Sequence, residues 1–61
     1  LEGADLQQAN LEGVKLTGTN LAGADLTGAN LAQATFSRVT ASELTRWPEG
    51  FDPVAAGVIF D

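Results

Sequence analysis

Residues 1–36 read LEGADLQQANLEGVKLTGTNLAGADLTGANLAQATF, and this stretch decides the fold. A large apolar residue recurs at every fifth position: Leu1, Leu6, Leu11, Leu16, Leu21, Leu26, Leu31 and Phe36. A small residue stands two places before each of these from Leu6 onward: Ala4, Ala9, Val14, Thr19, Ala24, Ala29 and Ala34. The stretch is therefore a run of eight five-residue units in a single register.

A period of five matches neither the α-helix nor the β-strand. Five residues turn about 500° around a helix, so successive leucines would drift and form no stripe. In a strand, residues five apart lie on opposite faces. Most units also contain a glycine, which tolerates the positive φ of a bend. The pattern predicts a solenoid in which each unit buries its apolar residue against neighbouring units.

The unit resembles that of the pentapeptide-repeat proteins, whose pattern is A-(D/N)-L-x-x. Residues 4–6, 9–11, 24–28 and 29–31 carry the resemblance as ADL, ANL, ADLTG and ANL. It implies an all-β fold, a right-handed quadrilateral β-helix with four units in each coil and about two coils here. Residues twenty apart would then stack, and the expected buried core is Leu6, Leu11, Leu16, Leu21, Leu26, Leu31 and Phe36.

The repeat pattern ends near Thr40, so we divide the domain into a β-helix over residues 1–40 and a capping segment over 41–61. Residues 45–57 read TRWPEGFDPVAAG and are similar to a T-x-W-P-x-x-F-D-P-x-x-A-G segment of many cyanobacterial pentapeptide-repeat proteins. A solenoid ends in apolar side chains and unpaired backbone groups, which need a cover. The expected cap residues are Trp47, Pro48, Phe51 and Pro53. The alternative is an aromatic docking patch for a partner.

Local signals predict helical structure inside the capping segment. Asp52 can cap the N-terminus of a short helix that starts at Pro53 and ends at Gly57. Residues 42–44 are compatible with one further helical turn, and the apolar residues 58–60 with a short strand. The cap is therefore expected to be partly helical.

The composition excludes several kinds of chemistry. The chain has no Cys and no His, so Ser/His or Cys/His nucleophilic catalysis and ordinary zinc sites lack their residues. Asp5 and Asp25 would stack on one face, but two exposed carboxylates are too few for a tight calcium site. We assign no catalytic, cofactor-binding or metal-binding residue and expect a protein that is not an enzyme and uses no cofactor.

Charge and hydropathy limit the partners. Eight acidic residues against three basic ones give a net charge of −5, which disfavours direct binding to nucleic acid. No apolar run approaches the ~18 residues of a membrane span, so no membrane partner is expected. No signal peptide is recognised, and the cytoplasm is the expected compartment.

These observations favour a non-enzymatic structural or protein-interaction module with an unidentified protein partner. The alternative comes by analogy with gyrase-binding members of the family, which resemble duplex DNA in shape and charge. Two coils would rise only about 10 Å, which argues against a DNA-like rod.

The N-terminal end raises a separate expectation. Leu1 occupies an interior phase of the repeat, yet no residue of this sequence can cover the first coil from below. Unpaired backbone groups at such an edge favour pairing with another chain. We expect either continuation of the solenoid upstream or end-on contact with a second molecule, for which a symmetric homodimer is the simplest arrangement.

Overall fold

Parallel backbone pairing between residues twenty apart builds the molecule. The computed structural model describes residues 1–60. Isolated parallel bridges join residues 1–20, the first coil, to residues 21–40, the second coil: Asp5 with Asp25, Asn10 with Asn30, Lys15 with Thr35, and Asn20 with Thr40. Strand β1, Thr40–Ala41, pairs in parallel with strand β2, Ile59–Phe60. The described residues therefore form an all-β solenoid.

A tight turn follows each large apolar residue of the repeat. The N–H three places on donates to its carbonyl, from Ala4 to Leu1 (2.9 Å) through to Val39 to Phe36 (3.3 Å). The third residue of each turn has a positive φ, between 59° and 74°, as in type II turns. Five of the eight positions hold glycine, and the others are Gln8, Gln33 and Arg38. These eight turns bend the chain once per unit.

The Asp or Asn that stands before every central leucine from Leu6 to Leu31 except Leu16 stabilises a turn. Its Oδ1 accepts the backbone N–H two residues further on, at 2.9–3.2 Å, in five units of the solenoid. The acceptors are Asp5, Asn10, Asn20, Asp25 and Asn30. Short Asx side chains favour such local bonds in turns. The outward-facing Asp and Asn of the repeat thus stabilise the turn that follows them.

The central apolar residues form one core, and their burial depends on the layer. The buried set includes Leu16, Leu21, Leu26, Leu31 and Phe36, packed with Ala24, Ala29, Val39, Ala41 and Val58. Leu6 and Leu11 pack against this cluster but are only partly buried, and Leu1 is 55% exposed. Complete burial of Leu6 and Leu11 was expected and does not occur, because no described residue lies below the first coil.

Backbone pairing continues beyond residue 40, with a change of register. Arg46 bridges Asp25, which is twenty-one residues earlier rather than twenty. The Arg46 N–H donates to the Ala24 carbonyl (2.9 Å), and the Leu26 N–H donates to the Arg46 carbonyl (2.8 Å). The extra residue lies between Thr40, which is still paired twenty residues from Asn20, and the turn closed by the Thr45 N–H and the Ser42 carbonyl (3.1 Å). The expected helical turn at residues 42–44 is therefore a tight turn of the solenoid.

The short helix predicted after Asp52 is not formed. Residues 53–57 make consecutive turns, in which the Ala56 N–H donates to the Asp52 carbonyl (3.2 Å) and the Val58 N–H to the Pro53 carbonyl (3.0 Å). Gly57, with φ of 92°, ends the segment before a second helical turn is possible. Residues 53–60 are therefore built from turns and β2. Nothing in the described part of the chain is a helix that could cross a membrane.

Candidate functional site

Thr45 is the polar centre of the C-terminal end. The side chain is 7% exposed, and its Oγ1 accepts the N–H groups of Gly23 (3.2 Å) and Ser42 (3.1 Å). The same hydroxyl donates to the carbonyl of Leu21 (2.8 Å). It therefore joins the 42–45 turn to the second coil. The sequence analysis placed Thr45 in the C-terminal motif but not among the cap residues.

Removal of the Thr45 hydroxyl is expected to destabilise the protein. In Thr45→Val, the N–H groups of Gly23 and Ser42 lose their acceptor, while the Leu21 carbonyl keeps the Ala24 N–H, and the free energy of unfolding should fall by about 1–3 kcal/mol. Thr45→Ser keeps the hydroxyl and loses only a methyl group, worth about 0.8 kcal/mol. Urea unfolding measures both variants. A valine variant as stable as the serine variant would contradict this role.

Four aromatic rings cluster at the end of the core, and one of them, Phe36, belongs to the core itself. Trp47 stacks on Phe51 with ring centroids 5.3 Å apart, and Phe51 lies 5.3 Å from Phe36. Phe60 meets Trp47 edge-on at 6.4 Å. Of the expected cap residues, Trp47 and Phe51 are thus brought together above the second coil. Pro48 begins the turn over residues 48–51, and Pro53 begins the turns over residues 53–57.

Apolar side chains remain exposed at this same end. Four of the five exposed large hydrophobic residues belong to residues 44–60, and the fifth is Leu1. They are Leu44 (74%), Val54 (73%), Ile59 (54%) and Phe60 (41%). The aromatic cluster therefore covers the core without making the C-terminal end polar.

A shallow groove of about 280 Å³ lies beside the cap. One wall is the edge of the second coil over residues 29–32, and the other is the turn over residues 48–51. In that turn the Phe51 N–H donates to the Pro48 carbonyl (3.1 Å), and Gly50 has φ of 81°. The turn directs Phe51 over the core instead of along the edge of the solenoid. The groove is the space that the chain leaves open there.

One side of the solenoid carries the acidic pair expected from the sequence. Asp5 and Asp25 are bridged, and Arg46 follows in the same ladder. The Asp25 Oδ1 accepts the Thr27 hydroxyl (2.6 Å) and the Thr27 N–H (3.0 Å). These hydrogen bonds, with a contribution from Arg46, lower the pKa of Asp25. Over residues 1–60 the structure brings together no group of three or more potential metal ligands from His, Cys, Asp and Glu.

The lowered pKa of Asp25 predicts a pH effect on stability. Because the pKa of Asp25 in the folded state lies below its ordinary value of 3.8, the ionised carboxylate stabilises the fold above the unfolded-state pKa. This stabilisation is lost as the pH falls through the folded-state pKa. Thr27→Val removes the hydroxyl that donates to the Asp25 carboxylate and should raise the pKa of Asp25, whereas Thr27→Ser keeps that hydroxyl and should not. Carboxyl carbon shifts measured by NMR against pH give both values, and equal pKa values in the two variants would contradict the assignment.

Comparison with known proteins agrees with the repeat geometry. The family model described as pentapeptide repeats matches residues 1–41, in eight copies. This chain belongs to the pentapeptide repeat family. A solved pentapeptide repeat protein from Nostoc Pcc 7120 is similar at 23% sequence identity, over 98% of this chain and 83% of that one, with a TM-score of 0.35. A search of curated proteins gave no match.

Pentapeptide repeats account for the solenoid but not for its C-terminal end. The eight matched copies correspond to the eight turns between Leu1 and Val39. Thr45, three of the four clustered aromatic residues (Trp47, Phe51 and Phe60) and one wall of the groove lie beyond the matched residues. These features of the C-terminal end therefore lie outside the repeats that the family model matches.

Proposed function

We propose that this protein is a non-enzymatic structural or protein-interaction module. The observation that carries the proposal is the exposed apolar surface of residues 44–60, where Leu44 and Val54 are more than 70% exposed. Exposed apolar surface that is concentrated in one region is typical of protein-binding sites. The continuous backbone ladder supplies a rigid support for that surface.

The proposal includes a finer description of the architecture. The solenoid is right-handed and four-sided with about two coils, and residues 41–61 cap it within the same domain. Bridges twenty residues apart support four units per coil. The contacts of Trp47 and Phe51 support the capping role, and the resemblance of residues 45–57 to a cyanobacterial segment suggests that other family members share it.

We further propose that the partner is a protein in the cytoplasm and that nucleic acid and membranes are not bound directly. The net charge of −5 supports this proposal, because phosphate groups would be repelled. A DNA-mimicking gyrase inhibitor is the alternative. The molecule measures 24 × 19 × 19 Å, which gives little length for an imitation of a duplex.

Binding experiments test the proposed function. The immobilised protein is exposed to extracts of its source cells, and each retained protein is purified and titrated against the chain. Ile59→Glu, which charges the exposed apolar surface, should weaken binding, whereas Glu2→Gln in the first unit should not. If no purified protein binds the wild type, the proposal is wrong. Inhibition of purified DNA gyrase in a supercoiling assay would support the alternative.

Backbone groups on the lower edge of the first coil are unpaired, and this is the basis of a second proposal about partners. Among residues 1–60, the N–H groups of Asp5 and Asn10 have no hydrogen-bond partner, although those of Asp25 and Asn30 in the second coil are paired. We propose that this edge is covered by continuation of the solenoid or by a second copy in a symmetric dimer. Sedimentation at micromolar concentration should show a dimer of the 61-residue chain, and Leu1→Glu should dissociate it. A wild-type monomer would exclude the dimer.

A further inference from the structure

The hydrogen bonds between the two coils show which backbone groups on the upper edge of a coil pair with the next layer. On the side of the groove, the Leu11 N–H donates to the Asn30 carbonyl (2.8 Å) and the Gly13 N–H to the Ala32 carbonyl (2.9 Å). In return, the Asn30 N–H donates to the Ala9 carbonyl (2.9 Å). The upper edge therefore presents two N–H donors and one carbonyl acceptor in a fixed spacing, and a parallel strand satisfies all three.

The second coil presents the same three groups to the groove without a partner. They are the N–H groups of Leu31 and Gln33 and the carbonyl of Ala29, which lie twenty residues after Leu11, Gly13 and Ala9. Within residues 1–60, none of the three takes part in a hydrogen bond. Unpaired N–H and carbonyl groups along a strand edge are available for pairing with another chain. This part of the edge is therefore a strand-pairing site that the chain itself leaves unused.

The course of the chain explains why the edge is open. Pairing above the second coil stops after Arg46 and resumes only at Ile59. Between them, Pro48, which has no N–H, begins the turn that directs Phe51 over Phe36. The turn becomes the opposite wall of the groove and keeps the volume of about 280 Å³ above residues 29–32 free. This volume is close to the lower limit of about 300 Å³ for ligand pockets, and it suits a few residues of extended chain.

We propose that the groove binds an extended basic peptide segment of a partner, which adds as a parallel strand to residues 29–33. The inference rests on the proposed role as a protein-interaction module and names the partner's chemistry. The peptide residue opposite Asn30 donates its N–H to the Ala29 carbonyl and accepts the Leu31 N–H. The carbonyl two residues further on accepts the Gln33 N–H. This is peptide recognition by β-augmentation.

The side chains around the groove select the peptide. The residue after the one opposite Asn30 points inward, where Leu31 and Phe51 offer an apolar contact. Glu49 lines the same groove, and the whole chain carries a net charge of −5, so Lys or Arg beside the apolar residue is favoured. The expected segment is therefore a small residue, a polar residue, an apolar residue and a basic residue in that order.

The test uses the acetylated and amidated synthetic peptide Lys-Ala-Asn-Leu-Lys-Gly and the full 61-residue chain. NMR titration should show saturable shifts at the Leu31 and Gln33 amides, together with slower hydrogen exchange. A methyl group on the peptide's Asn nitrogen removes the bond to the Ala29 carbonyl and should weaken binding about tenfold or more. The same methyl group on the peptide's Leu nitrogen, which points away from the edge, should leave binding unchanged. Equal binding of the two methylated peptides would overturn the strand pairing.

A charge reversal supplies the matched protein variants. Glu49→Lys should weaken the peptide several-fold, whereas Glu2→Lys makes the same change of charge outside the groove lining and should have no effect on the shifts at Leu31 and Gln33. Absence of any shift at millimolar peptide would overturn the inference. If a protein partner still binds the chain in that case, the proposed interaction role stands, and if none binds, both proposals are wrong.

Self-association is the competing occupant of this edge. If the Leu31 and Gln33 amides are already protected in the free chain and lose protection on dilution, a second copy fills the groove, and the peptide inference is overturned. If they exchange rapidly at every concentration and become protected only with peptide, the groove is a peptide site.

Discussion

Leu26→Ala is expected to lower the free energy of unfolding by about 2–5 kcal/mol. Leu26 is 0% exposed, and its own N–H is bonded to the Arg46 carbonyl of the next layer. Its side chain is therefore enclosed by layers on both sides. Paired backbones hold these layers apart, so the structure cannot collapse fully into the space that the leucine leaves. The substitution thus loses the transfer free energy of the side chain and leaves a cavity as well.

Urea unfolding followed by the fluorescence of Trp47, the single tryptophan, measures this loss. Leu44→Ala is the matched control, because Leu44 is 74% exposed and its truncation should change stability by less than about 0.5 kcal/mol. Domains of this size are stable by only about 3–5 kcal/mol, so Leu26→Val provides a milder variant that remains folded. Equal destabilisation by Leu26→Ala and Leu44→Ala would contradict the position of Leu26 in the core.

The five-residue period was sufficient to predict which leucines approach the core, and layer position explains the differences among them. Leu16, Leu21, Leu26 and Leu31 are buried, whereas Leu1 is 55% exposed although it has the same phase. Period alone does not describe what lies above and below a coil. The position of a residue in the five-residue unit therefore predicts whether its side chain points inward. Whether that side chain is buried depends on the layers above and below it.

Turn chemistry was predictable only where the sequence carries glycine. Gln33 and Arg38 adopt φ of 61° and 59°, a conformation that residues with a Cβ atom disfavour. The ladder on both sides of these turns imposes the bend, and the cost is distributed over the many paired neighbours. A prediction based only on the turn preferences of the residues in 31–40 would have missed the turns at Gln33 and Arg38. The five-residue register predicts both turns, because each follows a large apolar residue.

The C-terminal end was less predictable because it departs from the repeat by one residue. Ala41 and Thr45 are both small, so the sequence does not show that Thr45 takes the inner position above Ala24 after the shift. Asp52, Pro53 and Gly57 have the usual order of a short helix, but five residues are too few to propagate one. The groove depends on where Pro48 leaves the ladder, which is a property of the whole chain path and of no local motif.

Deletion of residues 45–61 is expected to abolish the cooperative fold at ordinary temperature and to cause association. The deletion removes the three hydrogen bonds of the Thr45 hydroxyl, the Arg46 bridge, the aromatic cover of Phe36 and the β2 pairing. The buried side chains Leu21 and Leu26 would then meet water, at a cost of about 1.5–3 kcal/mol each. Together these losses exceed the ~3–5 kcal/mol that a domain of this size has available.

Sedimentation velocity and thermal melting followed by circular dichroism measure the outcome of the deletion. The truncated chain should sediment as oligomers or aggregates and show no cooperative melting transition, because its newly exposed end presents apolar side chains beside unpaired backbone groups. The double variant Trp47→Ala/Phe51→Ala keeps the chain length, the Arg46 bridge and the Thr45 bonds. It should retain a cooperative transition at a lower temperature, since only the aromatic cover is lost. A truncated chain that remains monomeric and melts at the temperature of the parent would show that residues 45–61 do not cap the solenoid.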